Sequence, residues 1–441
     1  MTEDNFKYKN TYTGIFGLNY FTQGINTSIF TMVIPIYLLT TYGVIESAAL
    51  AFMLSIVMIP ATIKIIYGIL TDKVGSKKFG RRKPWIIFPA SFGGIVWLIV
   101  SFITQTSFSM AVSLFTIAGI IVFFGMFTAD TALDGFILDI CPKEKLGSTQ
   151  GFCWGLRAIG IIIGGPVILL FLIFLPLQII LIGLGISMIL FSLMTLLIQH
   201  IDIDKEINVV QNLKAIFKKG ENWKVFAYSF FMQIVGGVVY TFLSLYILIR
   251  ADYINPSGAT LSSLDSISLY EPQALITLII SIGIIVGALL GGFVADKVSR
   301  RAAVFSSMAL NTVSLVLLLI PFPIIILIVI SFFIGIASGW IFSSYSAVVA
   351  EYAQKYPDMT STYFSISISF INFGTLLGLT ITGIMFNIIS NVTNDVLLIY
   401  GTIFIFMAIL ESIALIPFLA MDRNQYEYKL SEHSEAFVKP P

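Results

Sequence analysis

No charged residue lies between Lys83 and Asp130, and none between Arg301 and Glu351. Each gap is more than twice the about 20 apolar residues that carry a helix across a bilayer. A soluble fold has no way to cover two such runs, so each is read as a pair of spanning helices. Turn residues divide both: Thr104-Gln105-Thr106-Ser107 in the first and Pro321-Phe322-Pro323 in the second. A third uncharged stretch runs from Lys9 to Glu46. Composition agrees, with 57% of the 441 residues hydrophobic and 11% charged, and a mean hydropathy of +0.94.

The apolar runs predict twelve spans, at 13–40, 47–71, 85–104, 109–140, 148–174, 178–199, 224–250, 273–295, 303–320, 324–350, 361–390 and 396–420. Lysine and arginine set the orientation, because basic loops stay on the cytoplasmic side. With the N-terminus inside, Lys64 and Arg157 fall within spans and Arg250 at an outer end; the other basic residues face the cytoplasm. The expected molecule is an all-α integral membrane protein with both termini cytoplasmic. It divides into a six-helix bundle (1–199), a cytoplasmic linker (200–222), a second six-helix bundle (223–421) and a disordered tail (422–441). The linker spacing of Ile207, Val210, Leu213 and Phe217, with Lys214, Lys218 and Lys219 between, suits either a helix on the anionic inner leaflet or a solvated connection. Residues 251–272 read as an irregular outer loop. A net charge of +1 gives no reason to expect nucleic acid, and Cys141 and Cys153 are expected as ordinary thiols.

Gly68-x-x-x-Asp72 closes the second span and is followed by Arg81-Arg82-Lys83; Gly292-x-x-x-Asp296, followed by Arg300-Arg301, closes the eighth. A motif that returns half a chain later at the same place in the helix order is the mark of two similar halves. Glycine there would let helices approach closely. The aspartate would accept hydrogen bonds from a facing helix N-terminus, and the arginines would hold it. Together these form a cytoplasmic gate of Gly68, Asp72, Arg81, Arg82 and Asp139 in one half and Gly292, Asp296, Arg300 and Arg301 in the other. The second copy lacks charged companions and is expected to be the weaker latch. Gly75-x-x-x-x-Gly80 is followed by arginines rather than Lys-Ser/Thr, so it is no phosphate loop.

Charges inside spans are expensive, about 2.5–3.5 kcal/mol each on insertion scales, and usually line pathways. Lys64, Gly68 and Asp72 share one face of the second span, and Asp130 and Asp134 one face of the fourth. The turn joining spans four and five centres near residue 144, which puts Arg157 at the depth of Asp130 and makes it the expected ion-pair partner of Asp130 or Asp134. Two carboxylates one turn apart cannot both stay charged cheaply, so one is suited to take and release a proton. Asp130, Asp134 and Arg157 are thus the expected proton-coupling group. Lys64, Asn19, Tyr20, Gln23, Gln233, Asn311 and Asn372 are the expected cavity residues, and Glu411 is read as a packing or interface residue. His200 and His433 lie outside the spans, so no metal or cofactor site is expected.

The repeated loops resemble the signature of the major facilitator superfamily over nearly the whole chain, Ser299 standing where a second glycine is usual. The stretch Asp130-Thr-Ala-Leu-Asp134-Gly to Trp154-Gly155-Leu156-Arg157, with Pro60-x-x-x-Lys64, is similar to the branch of muropeptide permeases, acetyl-CoA transporters and folate/biopterin transporters. Leu156 replaces the tyrosine of the muropeptide permeases. Gly80-Arg-Arg-Lys-Pro84-Trp85 is similar to glycoside–cation symporters, but Lys64 stands against their sodium pattern. Gly160-x-x-x-Gly164-Gly165-Pro166 resembles a shortened antiporter motif and is read as packing and kink. The resemblance implies a monomeric, non-enzymatic secondary transporter in the plasma membrane that carries a small solute with H⁺, by symport. The alternatives are a proton/solute antiporter and, in another class, a non-transporting sensor with the same fold.

Overall fold

A computed structural model describes residues 7–43, 46–76, 79–104, 106–199, 209–255, 260–261, 269–356 and 360–427. Eleven helices among them are long and apolar enough to cross a membrane. These are α1 (Asn10–Tyr42), α5 (Lys83–Ser101), α6 (Phe108–Ile140), α7 (Ser148–Phe171), α8 (Leu177–Leu197), α10 (Gly220–Arg250), α11 (Tyr270–Lys297), α12 (Arg300–Leu318), α13 (Ile324–Gln354), α14 (Thr362–Ser390) and α15 (Val396–Ala420). The expected second span is instead three consecutive pieces: α2 (Ser47–Val57), α3 (Ile59–Thr62) and α4 (Lys64–Lys73). Pro60 accounts for the first break, since it offers no N–H to the preceding turn and its ring crowds the carbonyl four residues back. The second break, at Ile63 (φ −100°, ψ 22°), makes Lys64 the first residue of a new helix. A short helix α9 (Val209–Lys218) begins within the expected linker; residues 200–208 lie outside the described residues. Within the expected irregular outer loop, Ile254–Asn255 and Thr260–Leu261 are two-residue strands.

The chain forms two compact units, 1–209 with 260–275, and 210–259 with 276–441. Each unit is held by helices that meet backbone to backbone. In the first, a Cβ on Gly24 would lie 2.1 Å from the carbonyl oxygen of Arg157, and one on Gly160 would lie 2.2 Å from that of Phe21. The glycines of α1 and α7 therefore set the distance between these helices, the packing reading given to Gly160 and Gly164. The second unit repeats the device: a Cβ on Gly374 or Gly378 of α14 would meet the carbonyl oxygen of Phe230 or Ile234 of α10 at 2.0 or 1.9 Å. Large apolar side chains turn outward, Phe88 at 68% exposure, Ile117 at 60% and Leu289 at 70%, as a surface solvated by lipid tails requires.

Gly68 is corrected, whereas at Gly292 the approach is tight. A Cβ on Gly68 would meet only Thr131 Cγ2 at 3.8 Å, and one on Gly292 the Ser343 hydroxyl at 3.3 Å. Closer backbone approaches fall on other glycines, in the α1–α7 and α10–α14 pairs and also between α11 and α13, where a Cβ on Gly287 would lie 1.9 Å from the carbonyl oxygen of Ile336. Gly160→Leu should therefore destabilise the first unit by about 1–3 kcal/mol, the usual cost of overpacking, while Gly68→Ala should be near neutral. The unfolding temperatures of the two purified variants, read side by side, check this.

Candidate functional site

The site is built on α6, which presents Asp130 and Asp134 one helical turn apart. Asp130 is 2% exposed. Its carboxylate accepts from the ammonium of Lys64 and is faced by the amide of Gln23. The break at Ile63 is what brings Lys64 here, and its Nζ also sits 5.5 Å from the centre of the Phe127 ring. Asp134 has a different partner, the Tyr20 hydroxyl, which donates to its Oδ1. The Tyr20 ring meets Trp154 edge-on at 6.0 Å between centroids, and the Arg157 guanidinium lies over the same Trp154 ring at 4.9 Å. A continuous chain of contacts thus runs Lys64–Asp130, Asp134–Tyr20, Trp154–Arg157 through helices α4, α6, α1 and α7.

The expected pairing of Arg157 with Asp130 or Asp134 is corrected: among the described residues Arg157 makes no ion pair, and Lys64 holds Asp130. The physical reason is packing order. Helices α6 and α7 are consecutive in sequence, but α7 packs mainly on α1 through Gly24, Gly160 and Gly164. Equal depth from a connecting turn does not make two residues neighbours.

Asn19 and Gln23 line a small cavity with Thr22, Asn26, Ala90, Met126, Ala129, Leu133 and Met188. It has about 20 Å³ of room for the centre of a water molecule, enough for one. Asn19 donates to the carbonyls of Ile15 (2.9 Å) and Phe191 (3.0 Å), so it also ties α1 to α8. Asn26, which sequence reasoning missed, accepts from the Trp97 indole at 2.7 Å. Its signal was present: Asn19, Gln23 and Asn26 recur at the 4,3 spacing of one helix face.

In the second unit Gln233 sits at the non-helical step that interrupts α10, half-buried, and Asn372 is half-buried on α14. Asn311 is 2% exposed and donates to Glu411 at 2.5 Å between α12 and α15. A hydroxyl network joins Tyr345 to Ser367 (2.6 Å) and Ser367 to Ser229 (2.8 Å). Cys141 and Cys153 are free thiols.

Among the residues expected to form a gate, Arg81 and Arg82 both reach Asp139 at 3.0 Å, and Arg82 also donates to Thr71 at 3.1 Å. The turn that delivers them closes with Ser76–Gly80 backbone bonds of 3.0 and 2.8 Å, and Gly80 has φ +77°, a conformation other residues rarely adopt. The side chain of Asp72 lies outside the described residues, and Asp296 is exposed. The expectation of a companionless second latch is overturned. Arg300 pairs with Glu351, at the end of α13, at 2.6 Å. The chain after α15 adds to this: Glu427 accepts from the Ser299 hydroxyl and the Arg301 amide, both at 2.7 Å, and Arg300 donates to the Tyr426 carbonyl at 2.8 Å. Asp422 to Glu427, expected to be disordered, is thereby ordered against the start of α12; the rest of the tail lies outside the described residues.

A family model, the Major Facilitator Superfamily, matches residues 16–268 and 251–440. Among curated proteins, folate-biopterin transporter 4 of Arabidopsis thaliana is 29% identical over 33% of this chain and 30% of its own. Transporter AmpG 1 of Rickettsia conorii is 26% identical over 62% of this chain and 64% of its own. The chain therefore spans less than two thirds of the length of either. Among solved structures, the nucleoside transporter NupG superposes with a TM-score of 0.68 at 15% identity, covering 93% of this chain and 98% of that one. A D-xylose–proton symporter gives 0.64 at 15%, covering 92% and 97%. These structures share the fold, and the relatives are named as transporters rather than enzymes.

Glu427→Ala removes two hydrogen bonds from the start of α12, so a loss of about 1–2 kcal/mol, the scale of a helix cap, is expected. Glu351→Gln should cost a similar amount by weakening its bond to Arg300. Thermal unfolding of the purified variants measures both, and neither should alter the first unit's protection from hydrogen exchange.

Proposed function

Since the chain belongs to the Major Facilitator Superfamily, we propose that it is a secondary active transporter that takes up a small organic solute together with protons. In this reading the broken run α2–α4 is a twelfth span, so that two six-helix bundles work by alternating access with both termini cytoplasmic, in a plasma membrane and as a monomer. Broken helices at the site of ion and substrate binding are a recurring feature of such transporters, because interrupted backbone is tolerated where it lines a cavity.

The observation that carries the proposal is the inequality of the two carboxylates on α6. Asp130 is held by a full positive charge on Lys64, whereas Asp134 has a neutral phenol as its bonded partner. A carboxylate locked in a buried ion pair is costly to neutralise; one bonded to a hydroxyl can bind a proton and keep its hydrogen bond. Asp134 is therefore the assigned proton carrier. Asp130 with Lys64 is the fixed pair beside it, and Arg157 is the third member of the coupling group. Asn19, Tyr20 and Gln23 would form the wall on the first unit, and Gln233, Asn311 and Asn372 are assigned to the second.

Proteoliposomes with a trapped pH-sensitive dye test this. Solutes from a panel of sugars, amino-sugar peptides, nucleosides and organic acids are added outside, and solute-driven proton entry is recorded. Asp134→Asn should lower that entry at least about tenfold, a change of 1.4 kcal/mol. If Asp130→Asn and Asp134→Asn both leave proton entry intact, the coupling assignment is wrong.

Stability gives a separate check on the pair. Lys64→Gln leaves Asp130 buried without its cation, which typically costs about 3–5 kcal/mol. Adding Asp130→Asn should recover most of that loss, and unfolding temperatures of the two single variants and the double variant read the cycle.

A further inference from the structure

The charges of the first unit's site do not end in pairs. Asp130 is matched by Lys64. Arg157, on α7, makes no ion pair among the described residues: its guanidinium lies over Trp154, which is 42% exposed, and its charge reaches Asp130 and Asp134 only from a distance. A guanidinium keeps its charge under all ordinary conditions and presents a planar fork of donors that suits a carboxylate. Within a spanning helix such a group is expensive unless something anionic visits it.

We propose that Arg157, seated on Trp154, is the anion-binding element of the site, that the transported solute is a small organic monoanion such as a carboxylate, and that this anion and the proton on Asp134 bind together. The last part rests on the proposed function above. The argument is a charge balance over every ionisable group facing Asp134. These are Tyr20 on α1, Lys64 on α4, Asp130 on α6 itself, and Cys153 and Arg157 on α7. Arg82 lies against the neighbouring Gly135 but is already gripped by Asp139. With Asp134 ionised, two cations face two carboxylates and the site is neutral. A proton on Asp134 leaves one positive charge uncompensated, and Arg157 is the cation outside any ion pair. A monoanion on Arg157 restores neutrality. Each ligand thus removes the electrostatic penalty of the other, and by linkage each raises the other's affinity by the same factor. The loaded site, like the empty one, carries no net charge, so the cycle moves H⁺ and anion electroneutrally. A neutral solute would leave the protonated site charged.

The test needs no knowledge of the solute, because Trp154 reports on its own neighbourhood. Its fluorescence is isolated by subtracting that of Trp154→Phe, and iodide serves as an anionic quencher with acrylamide as its neutral counterpart. In the intact protein iodide should quench Trp154 better relative to acrylamide at pH 5 than at pH 8, by threefold or more. Arg157→Gln should abolish that preference and Arg157→Lys should retain part of it, which separates loss of charge from loss of fold. Asp134→Asn should hold the preference high at both pH values. If iodide quenching is the same with glutamine at 157, or if neither quencher reaches Trp154, the anion site is overturned whatever the proton assay gives. If quenching follows Arg157 but ignores both pH and Asp134→Asn, the anion site stands and its linkage to the proton is overturned.

Discussion

The ion pair between Lys64 and Asp130 is the constraint around which the first unit is arranged. Neither charge is tolerable alone at that depth: an unpaired ion buried away from water costs several kcal/mol, and breaking such a pair is worse than never having had it. The pair therefore fixes where α4 must begin relative to α6. Pro60 and the step at Ile63 end the preceding helix so that Lys64 starts a new one facing Asp130. The sharp turn below it, with Gly80 in a left-handed conformation, returns the chain so that Arg81 and Arg82 meet Asp139 on the same helix. Helix α6 is thus tied twice to the segment that precedes α5, once along its length at Asp130 and once at its end at Asp139.

Much of this was legible in the residues. Intramembrane charges are so costly that each one announces itself, and Lys64, Asp130, Asp134 and Arg157 all proved to belong to one connected set of contacts. Their pairing was not legible. Sequence order makes α6 and α7 look like neighbours, yet the glycines at 24, 160 and 164 draw α7 onto α1, and small residues at a crossing outweigh chain adjacency. Glu351 and Glu427 escaped notice for a related reason. Each lies far in sequence from Arg300, and a carboxylate at a helix end or in a charged tail looks solvated until the fold brings a partner to it. Asn26 was overlooked because its neighbours Asn19 and Gln23 drew attention to single polar residues instead of to the stripe they make.

The two units use the same helix contacts at an offset of roughly 210 residues, as internal repeats do. Five-residue π segments interrupt α1 at Ile29–Val33 and α10 at Val239–Leu243. Gly160 and Gly164 against α1 correspond to Gly374 and Gly378 against α10. Asp139, which receives Arg81 and Arg82, corresponds to Glu351, which receives Arg300. The packing is repeated while the polar chemistry differs: Gly24 lies one turn from Tyr20, and Gly160 one turn from Arg157, so packing and site share the same helices.

The polar chemistry at one matching junction differs between the units. Where the first unit joins Tyr20, Asp134 and Trp154 across α1, α6 and α7, the second joins Ser229, Tyr345 and Ser367 across α10, α13 and α14. The junction is the same, but hydroxyls have replaced the carboxylate. A hydroxyl network can exchange partners without gaining or losing charge. A carboxylate at the matching place cannot: each change of partner is also a change in the energy of its charge. The difference between the two junctions therefore rests on a few side chains set on helices whose packing repeats.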